Sequence, residues 1–340
     1  MADKTAIEWT DATWNPVVGC QIVSAGCRDC YAMKQAHDLE NRFGSPKYSG
    51  LTKVVNGHPV WTGDIRVHWE SIDQPLTWRK PRRIFVNSMS DLFHENIPGD
   101  ELAQIYGVMI AAHHVRGHTF QVLTKRPDHM RAVLRDTDFW DFANATASHE
   151  VMQRVDPLDR RRDDARATCD DYGPDHPPPG IWLGVSVEDQ ATAMTRIPIL
   201  LNTPAALRFI SAEPLLGPVN LTRLHTPGST WTDALSGREH HGPGILTGFP
   251  RLDWVIAGGE SGPTARPAKA DWFRSLRDQC AAASVPFFFK QWGEWLPEDD
   301  AYDRELKCIE DGPPPEGMYR VGKRLAGRLL DGVTHDGFPS

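Results

Sequence analysis

The sequence has no apolar run long enough to cross a bilayer, which takes about 20 consecutive apolar residues. Its first residues, MADKTAIEWTDATW, carry no apolar signal core. That argues against secretion and makes the cytoplasm the expected location. Basic charge is not in excess either: 37 Lys and Arg stand against 45 Asp and Glu, a net charge of −8. This excludes a chain coated with phosphate contacts, because non-specific nucleic-acid binding rests on basic patches, but it leaves room for a local basic channel. No internal repeat recurs. Cysteine is scarce, six in 340 residues. Disulfides are disfavoured in a reducing compartment, so clustered cysteines there point to metal or catalysis. Three of the six, Cys169, Cys280 and Cys308, are scattered and read as structural or incidental.

What the chain does have is a series of short, apolar, β-rich runs: RRIFVNS (82–88), TFQVLTK (119–125), IWLGVSV (181–187), LRFISAE (207–213), LDWVIAGG (252–259) and VPFFFKQ (285–291). Each is too short for a typical helix and apolar nearly throughout, like strands buried on both faces of a parallel sheet. Helical spacing appears between them at 99–115, with Asp100 as candidate N-cap, and at 269–284. Alternating strands and helices imply an α/β fold. The length admits one large domain or two smaller ones. The expected architecture is a parallel (β/α) barrel, partial, with six or more strands, over residues 1–297. Loop insertions fall near 41–64, 156–180 and 226–250, and 298–340 form a C-terminal extension. The RRRDDAR run reads as a solvated face. The stretch 226–250, rich in Gly, His and Pro, reads as a long loop.

Every run ends in polar or glycine residues: Ser88, Ser90 and Asp91; Lys125 and Arg126; Ser186 and Glu188; Glu213; Gly258, Gly259 and Glu260; Lys290 and Gln291. In a parallel barrel such ends meet on one rim, where active sites are built. The plain readings are local. Ser88, Ser90 and Asp91 suit a turn and helix cap, Lys125 and Arg126 a solvated strand end, and the two glycines a bare turn.

The first cysteines lie in NPVVGCQIVSAGCRDCYAMKQAHDLENR, spaced C-x6-C-x2-C and followed at once by a helical pattern. Thiolates are soft ligands for zinc, Cu(I) and iron–sulfur clusters. Three of them leave a fourth coordination position open. In a [4Fe–4S] cluster one iron is then free to bind something else, which suits catalysis better than electron transfer, where four cysteines are usual. Zinc is the competitor: His37, seven residues past Cys30, would complete a Cys3His site. Spacing alone does not separate the two.

Asn15-Pro16, Gly19-Cys20, Gly26-Cys27 and Cys30-Tyr31-Ala32 resemble the radical S-adenosylmethionine (SAM) superfamily, in particular its spore-photoproduct-lyase-like branch. The chain as a whole resembles a family of phages and bacteria marked by a three-cysteine motif. The segments SMSDLFHENIP, VLTKRPD and WVIAGGE are similar to later strand ends of that branch, so the resemblance covers about 14–292. There are two departures. Six residues, not three, separate the first two cysteines, and Asp29 stands where an aromatic residue usually precedes the last one.

The resemblance implies a [4Fe–4S] cluster on Cys20, Cys27 and Cys30, SAM as cofactor, an external electron donor, and hydrogen abstraction by a 5′-deoxyadenosyl radical. It makes Ser88, Ser90 and Asp91 cofactor contacts. Lys125 and Arg126 become holders of the SAM carboxylate or a substrate phosphate, and Ser186 and Glu188 partners of the ribose hydroxyls. Gly258, Gly259 and Glu260 become a close backbone approach beside the adenine. The implied substrate is a nucleic-acid lesion or modified base, with modest support from WRKPRR (78–83). A protein encoded beside this one is a further candidate partner; a membrane is not. The alternatives are a radical SAM enzyme acting on a small metabolite and a non-catalytic zinc- or cluster-binding interaction protein.

Overall fold

All six apolar runs are strands in the computed structural model, which describes residues 5–155, 161–225, 230–242, 244–303 and 317–339. A short strand precedes them. The seven are β1 (Ala12–Trp14), β2 (Arg83–Val86), β3 (Thr119–Thr124), β4 (Ile181–Ser186), β5 (Leu207–Ala212), β6 (Trp254–Gly258) and β7 (Phe287–Gln291). They form one sheet in chain order, β1 to β7, with no reversal. The pairs β1–β2, β2–β3, β5–β6 and β6–β7 are parallel, in registers such as Trp14 with Val86 and Ile256 with Phe288. A parallel sheet in chain order is the topology of a partial (β/α) barrel. All five residues of β6 are buried, as are Ile84, Phe85 and Val86 of β2. That two-sided burial is why the runs are continuously apolar rather than alternating.

Contacts divide the chain into two units. One comprises Met1–Val23, Ala32–Gly184 and Asn202–Leu207; the other comprises Ser24–Tyr31, Val185–Leu201 and Arg208–Ser340. In the first unit, helix α1 (Tyr31–Asn41) follows the cysteine segment, and α2 (Gly99–Arg116) links β2 to β3. Asp100 is not its N-cap. Pro98 is, its carbonyl accepting from Leu102 N at 3.0 Å, which moves the start toward the N-terminus. Asp100 and Glu101 lie instead in the first turn, where acidic charge complements the helix dipole. Gly117 ends the helix in the left-handed conformation (φ 71°) that favours glycine. Helix α2 packs on α3 (Thr137–Arg154), with Tyr106 edge-on to Phe139 and Trp140.

Two insertions carry more structure than a loop. Within 41–64, Thr52–Val55 and His58–Trp61 form an antiparallel hairpin. Within 156–180, Arg161–Cys169 is helical. For 226–250 the loop expectation is overturned. Among the described residues, Trp231–Asp233, Arg238–His241 and Gly244–Thr247 form a three-stranded antiparallel sheet. Gly237 and Gly242 mark turns between very short strands, which composition alone does not distinguish from irregular chain. In the second unit, helix α4 (Gln190–Leu201) follows β4 and α5 (Ala270–Ala283) links β6 to β7. The C-terminal segment lies along β7. Phe289 N donates to His335 O (2.9 Å), Gly337 N to Phe287 O (3.0 Å), and Trp254 Nε1 to Gly337 O (2.7 Å). A covered edge offers no template for pairing with another chain. Cys169 and Cys280 are buried, and burial pushes both thiols up to about 12. That suits the structural reading; Cys308 lies outside the described residues. No helix among the described residues is long and apolar enough to cross a membrane.

Gly107 gives a test of the α2–α3 contact. A Cβ there would stand 2.6 Å from Ala143 O, a backbone atom that cannot swing away. Ala normally stabilises a helix relative to Gly. Here the overpacking should win, so Gly107→Ala should lower stability by about 1–3 kcal/mol in urea titration.

Candidate cofactor site

Each unit holds part of the sequence-derived site. In the first, Asn15 follows β1, and its Oδ1 accepts from Ser88 Oγ (3.2 Å) and Met89 N (3.0 Å) after β2. Ser90 Oγ donates to Val17 O (2.8 Å), and Gly19 bridges Ser90. Cys20 follows, half-buried. Asp91 is buried and fully used. Its Oδ1 accepts from Thr124 Oγ1 (2.7 Å) and Phe93 N (3.0 Å), and its Oδ2 from Lys125 N (3.0 Å) and Arg126 Nη1 (3.2 Å). Asp91 therefore clamps the end of β2 to that of β3, the turn-and-clamp role that short acidic side chains favour.

Arg126 is 6% exposed and also donates to Glu95 Oε2 at 2.8 Å. Burial disfavours its charge. The Asp91 carboxylate, the Cys20 sulfur and Glu95 more than offset this, and its pKa is raised. Asp91, Lys125 N and Arg126 thus form one hydrogen-bonded cluster with Cys20 within electrostatic reach of Arg126, while Ser88 and Ser90 bond to the chain after β1.

Sequence reasoning missed Lys47. Its Nζ donates to Asn15 O (2.9 Å), and burial pushes its pKa down to about 8. The only signal was a lysine among prolines and glycines in an insertion.

In the second unit, Glu188 is 1% exposed and occupies the end of β4. Its Oε2 accepts from Arg196 Nη1 on α4 (2.9 Å), which also donates to Ser186 O (2.8 Å). Its Oε1 accepts from Ser24 Oγ (2.9 Å), and that hydroxyl lies 3.6 Å from Cys27 Sγ. Gly26 packs on the Glu188 side chain: a Cβ there would meet Glu188 Cγ at 2.6 Å.

Glu260, after β6, accepts from Arg266 N and Nε, both at 2.8 Å, and Arg266 Nη2 donates to Ala25 O (3.0 Å). The Glu260 hydrogen bonds raise the Arg266 pKa. Asp29 accepts from Thr264 and Arg28. Burial would raise its pKa, but the Thr264 and Arg28 hydrogen bonds outweigh that and lower it.

Two sequence-derived ribose and adenine contacts, Glu188 and Glu260, are thus occupied in holding the segment Ser24–Tyr31 that bears Cys27 and Cys30. Gly259 serves a chain-to-chain approach, since a Cβ there would stand 1.9 Å from Trp292 O. Gly258 faces Glu213, whose Oε1 accepts from Lys290 Nζ at 2.7 Å. Arg196 was also missed. A lone arginine in the apolar helix QATAMTRIPILL, there 7% exposed, was the available sign of a buried acid partner.

As the side chains lie, no group of three or more His, Cys, Asp or Glu among the described residues is gathered closely enough to hold a metal ion. His37 Nδ1, the zinc candidate, is 3.2 Å from Thr52 Oγ1 and 3.1 Å from Asn41 Nδ2. The donor chemistry nonetheless fits an iron–sulfur cluster: Cys20, Cys27 and Cys30 supply three thiols, none in a disulfide.

Residues 4–339 match a family described as a protein of unknown function, DUF5131. The chain belongs to that family. No curated protein and no solved structure matches it. Within this DUF5131 chain, the buried Glu188–Arg196 pair supports the cysteine segment through Ser24. Removing one partner of a buried pair strands the other charge, at about 3–5 kcal/mol. Arg196→Met should therefore lower the urea-unfolding free energy by that amount, whereas Arg28→Met, at an exposed pair, should change it by less than ~1 kcal/mol.

Proposed function

We propose that this protein is a radical SAM enzyme that holds a [4Fe–4S] cluster through Cys20, Cys27 and Cys30. The observation that carries the reading is the anchoring of the cysteine segment. Ser24 to Glu188, Ala25 through Arg266 to Glu260, and Asp29 to Thr264 are three tethers on six residues. Ala25 and Arg28 are exposed, so packing does not require them. Metal ligands need such outer-shell support to hold their orientation. Cys30 directly precedes α1.

When bound, the cluster supplies the electron that cleaves SAM to a 5′-deoxyadenosyl radical. The chain's own residues do the rest. Lys125 and Arg126 offer positive charge to the SAM carboxylate or a substrate phosphate. Glu188 and Glu260 hold the cysteine segment in place, and Asp91 fixes Arg126. A cytoplasmic location and an external electron donor belong to the same reading.

The substrate class we infer is a nucleic-acid lesion or modified base, supported by the resemblance to the photoproduct-lyase-like branch. The WRKPRR stretch adds two exposed cations, Arg79 and Lys80. Its other arginines are committed: Arg82 lies 4.8 Å over Trp78, and Arg83 pairs with Asp11 at 3.1 Å.

Anaerobic purification and reconstitution test the proposal. The expected result is a brown protein with iron and sulfide that forms 5′-deoxyadenosine when reduced with SAM present. Cys20→Ala, Cys27→Ala and Cys30→Ala should each lose the visible absorption, while Cys280→Ala keeps it. A colourless zinc protein, or normal iron in Cys27→Ala, would sink the assignment.

A further inference from the structure

The insertion 226–250 carries a surface that the cofactor site does not use. Leu224 and Thr232 exchange backbone hydrogen bonds (2.9 and 2.6 Å) and are both buried. Leu224 thus extends the three-stranded sheet by one short row. Side chains alternate across a strand, so the neighbours of these two residues point the other way. Trp231 pairs in register with His240, and His240 with Ile245.

The face away from Leu224 and Thr232 therefore presents Arg223, His225, Trp231, Arg238, His240 and Ile245, with Asp233 in register with Arg238 on the same face. The Trp231 and His240 rings stack with centroids 3.3 Å apart and planes 14° apart. Arg223 lies 5.8 Å from the indole centre, near the outer limit of a cation–π contact. Arg223, His225, Arg238 and Ile245 are exposed, Ile245 at 56%.

The charge of this face runs against that of the chain. Between 220 and 251 lie three arginines, three histidines and two acids, in a protein of net charge −8. Both acids are engaged. Asp233 accepts from Leu235 N (2.9 Å), Ser236 N (3.2 Å) and Ser236 Oγ (2.6 Å), and Glu239 lies 3.3 Å from His241 on the opposite face. What remains is planar rings in a row with guanidinium groups at either side.

We propose that this face binds single-stranded nucleic acid. Aromatic rings on a sheet offer a stacking platform that every base can use, and flanking arginines neutralise the backbone. Arg223 sits loosely enough over Trp231 for a base to take its place against the ring while the guanidinium moves to a phosphate. The surface extends the nucleic-acid reading above, and its test stands apart from cluster chemistry.

The experiment is fluorescence polarisation with labelled single-stranded DNA and RNA of about 15 nucleotides, within the ~4–16 that single-strand binding folds cover, and with the matching DNA duplex. Titrations run over a salt series. The native chain should bind single strands, more weakly as salt rises, and prefer them to duplex. Arg223→Ala/Arg238→Ala should reduce the magnitude of the log–log salt slope by about 1.4, two contacts at ~0.7 each. Trp231→Ala should weaken binding by roughly 5- to 150-fold, the range for one base stack, and Trp231→Phe should restore most of it. Thermal melting of each variant confirms that it is folded.

Absence of single-strand binding in a protein that still forms 5′-deoxyadenosine overturns this inference and leaves the radical reading intact. Undiminished binding by both the arginine pair variant and Trp231→Ala overturns it as well. So does a dimer of this chain that Trp231→Ala dissociates in the absence of nucleic-acid binding.

Discussion

A carboxylate buried at the end of β4 governs the cysteine segment. Glu188 cannot remain charged in an apolar setting without partners, and burying an unpaired carboxylate costs several kcal/mol. Its two oxygens are divided between Arg196 and Ser24. One bond reaches back to the helix that follows the strand; the other reaches the segment carrying Cys27. The pair thus does two things at once: it fixes α4 against the end of β4, and the second Glu188 oxygen ties down Ser24, three residues before Cys27. Gly26 completes the arrangement, because any side chain there would displace the carboxylate it packs against. The same principle recurs at Glu260, where Arg266 carries the carboxylate's influence on to Ala25 O. In both cases a strand-end acid acts through an arginine or a serine rather than facing outward alone.

Much of the fold was legible because two-sided burial leaves a plain trace. Runs such as WVIAG and FFFKQ are apolar without alternation, and only a covered parallel sheet keeps such strands satisfied. β1 was less visible, since three residues give too little pattern. The sheet within 226–250 was invisible for a different reason. Its strands are three or four residues long, mostly exposed or half-exposed, and mix Trp, Ile and Leu with His, Arg, Asp, Glu and Gly, so neither propensity nor alternation stands out. The helix starting at Gly99 shows a third limit. Aspartate is a good cap, but Pro98 already supplied an unblocked carbonyl and a compatible backbone, and the helix began there.

The candidate site was legible in its residues more than in its roles. The polar strand ends singled out these side chains, yet sequence does not say which acids face a ligand and which face the protein. Asp91 spends both oxygens on the junction of β2 and β3. Glu188 and Glu260 spend theirs on the cysteine segment. Their arginine partners were missed because pairing across about 8 residues for Arg196, or 6 for Arg266, leaves no periodic mark. Lys47 was missed for a related reason. Its depressed pKa comes from burial, and burial of a residue in a Gly- and Pro-rich insertion follows from tertiary packing alone.

Asp29 and the long connection between Cys20 and Cys27 acquire a physical account from these contacts. Asp29 stands where an aromatic residue is usual, and its carboxylate is bonded to Thr264 and Arg28. An aromatic side chain at that position would accept no hydrogen bond from Thr264 and would leave the end of the segment without its third tether. The longer spacing between Cys20 and Cys27 fits the same logic. Ile22 and Val23 are 43% and 45% exposed, so the added residues contribute little to any core. They lengthen the connection, and Ser24 then begins the anchored stretch. A longer loop loses more entropy when its ends are fixed, though slowly with length. The polar tethers at Ser24, Ala25 and Asp29 supply the compensating order at the far end of that connection.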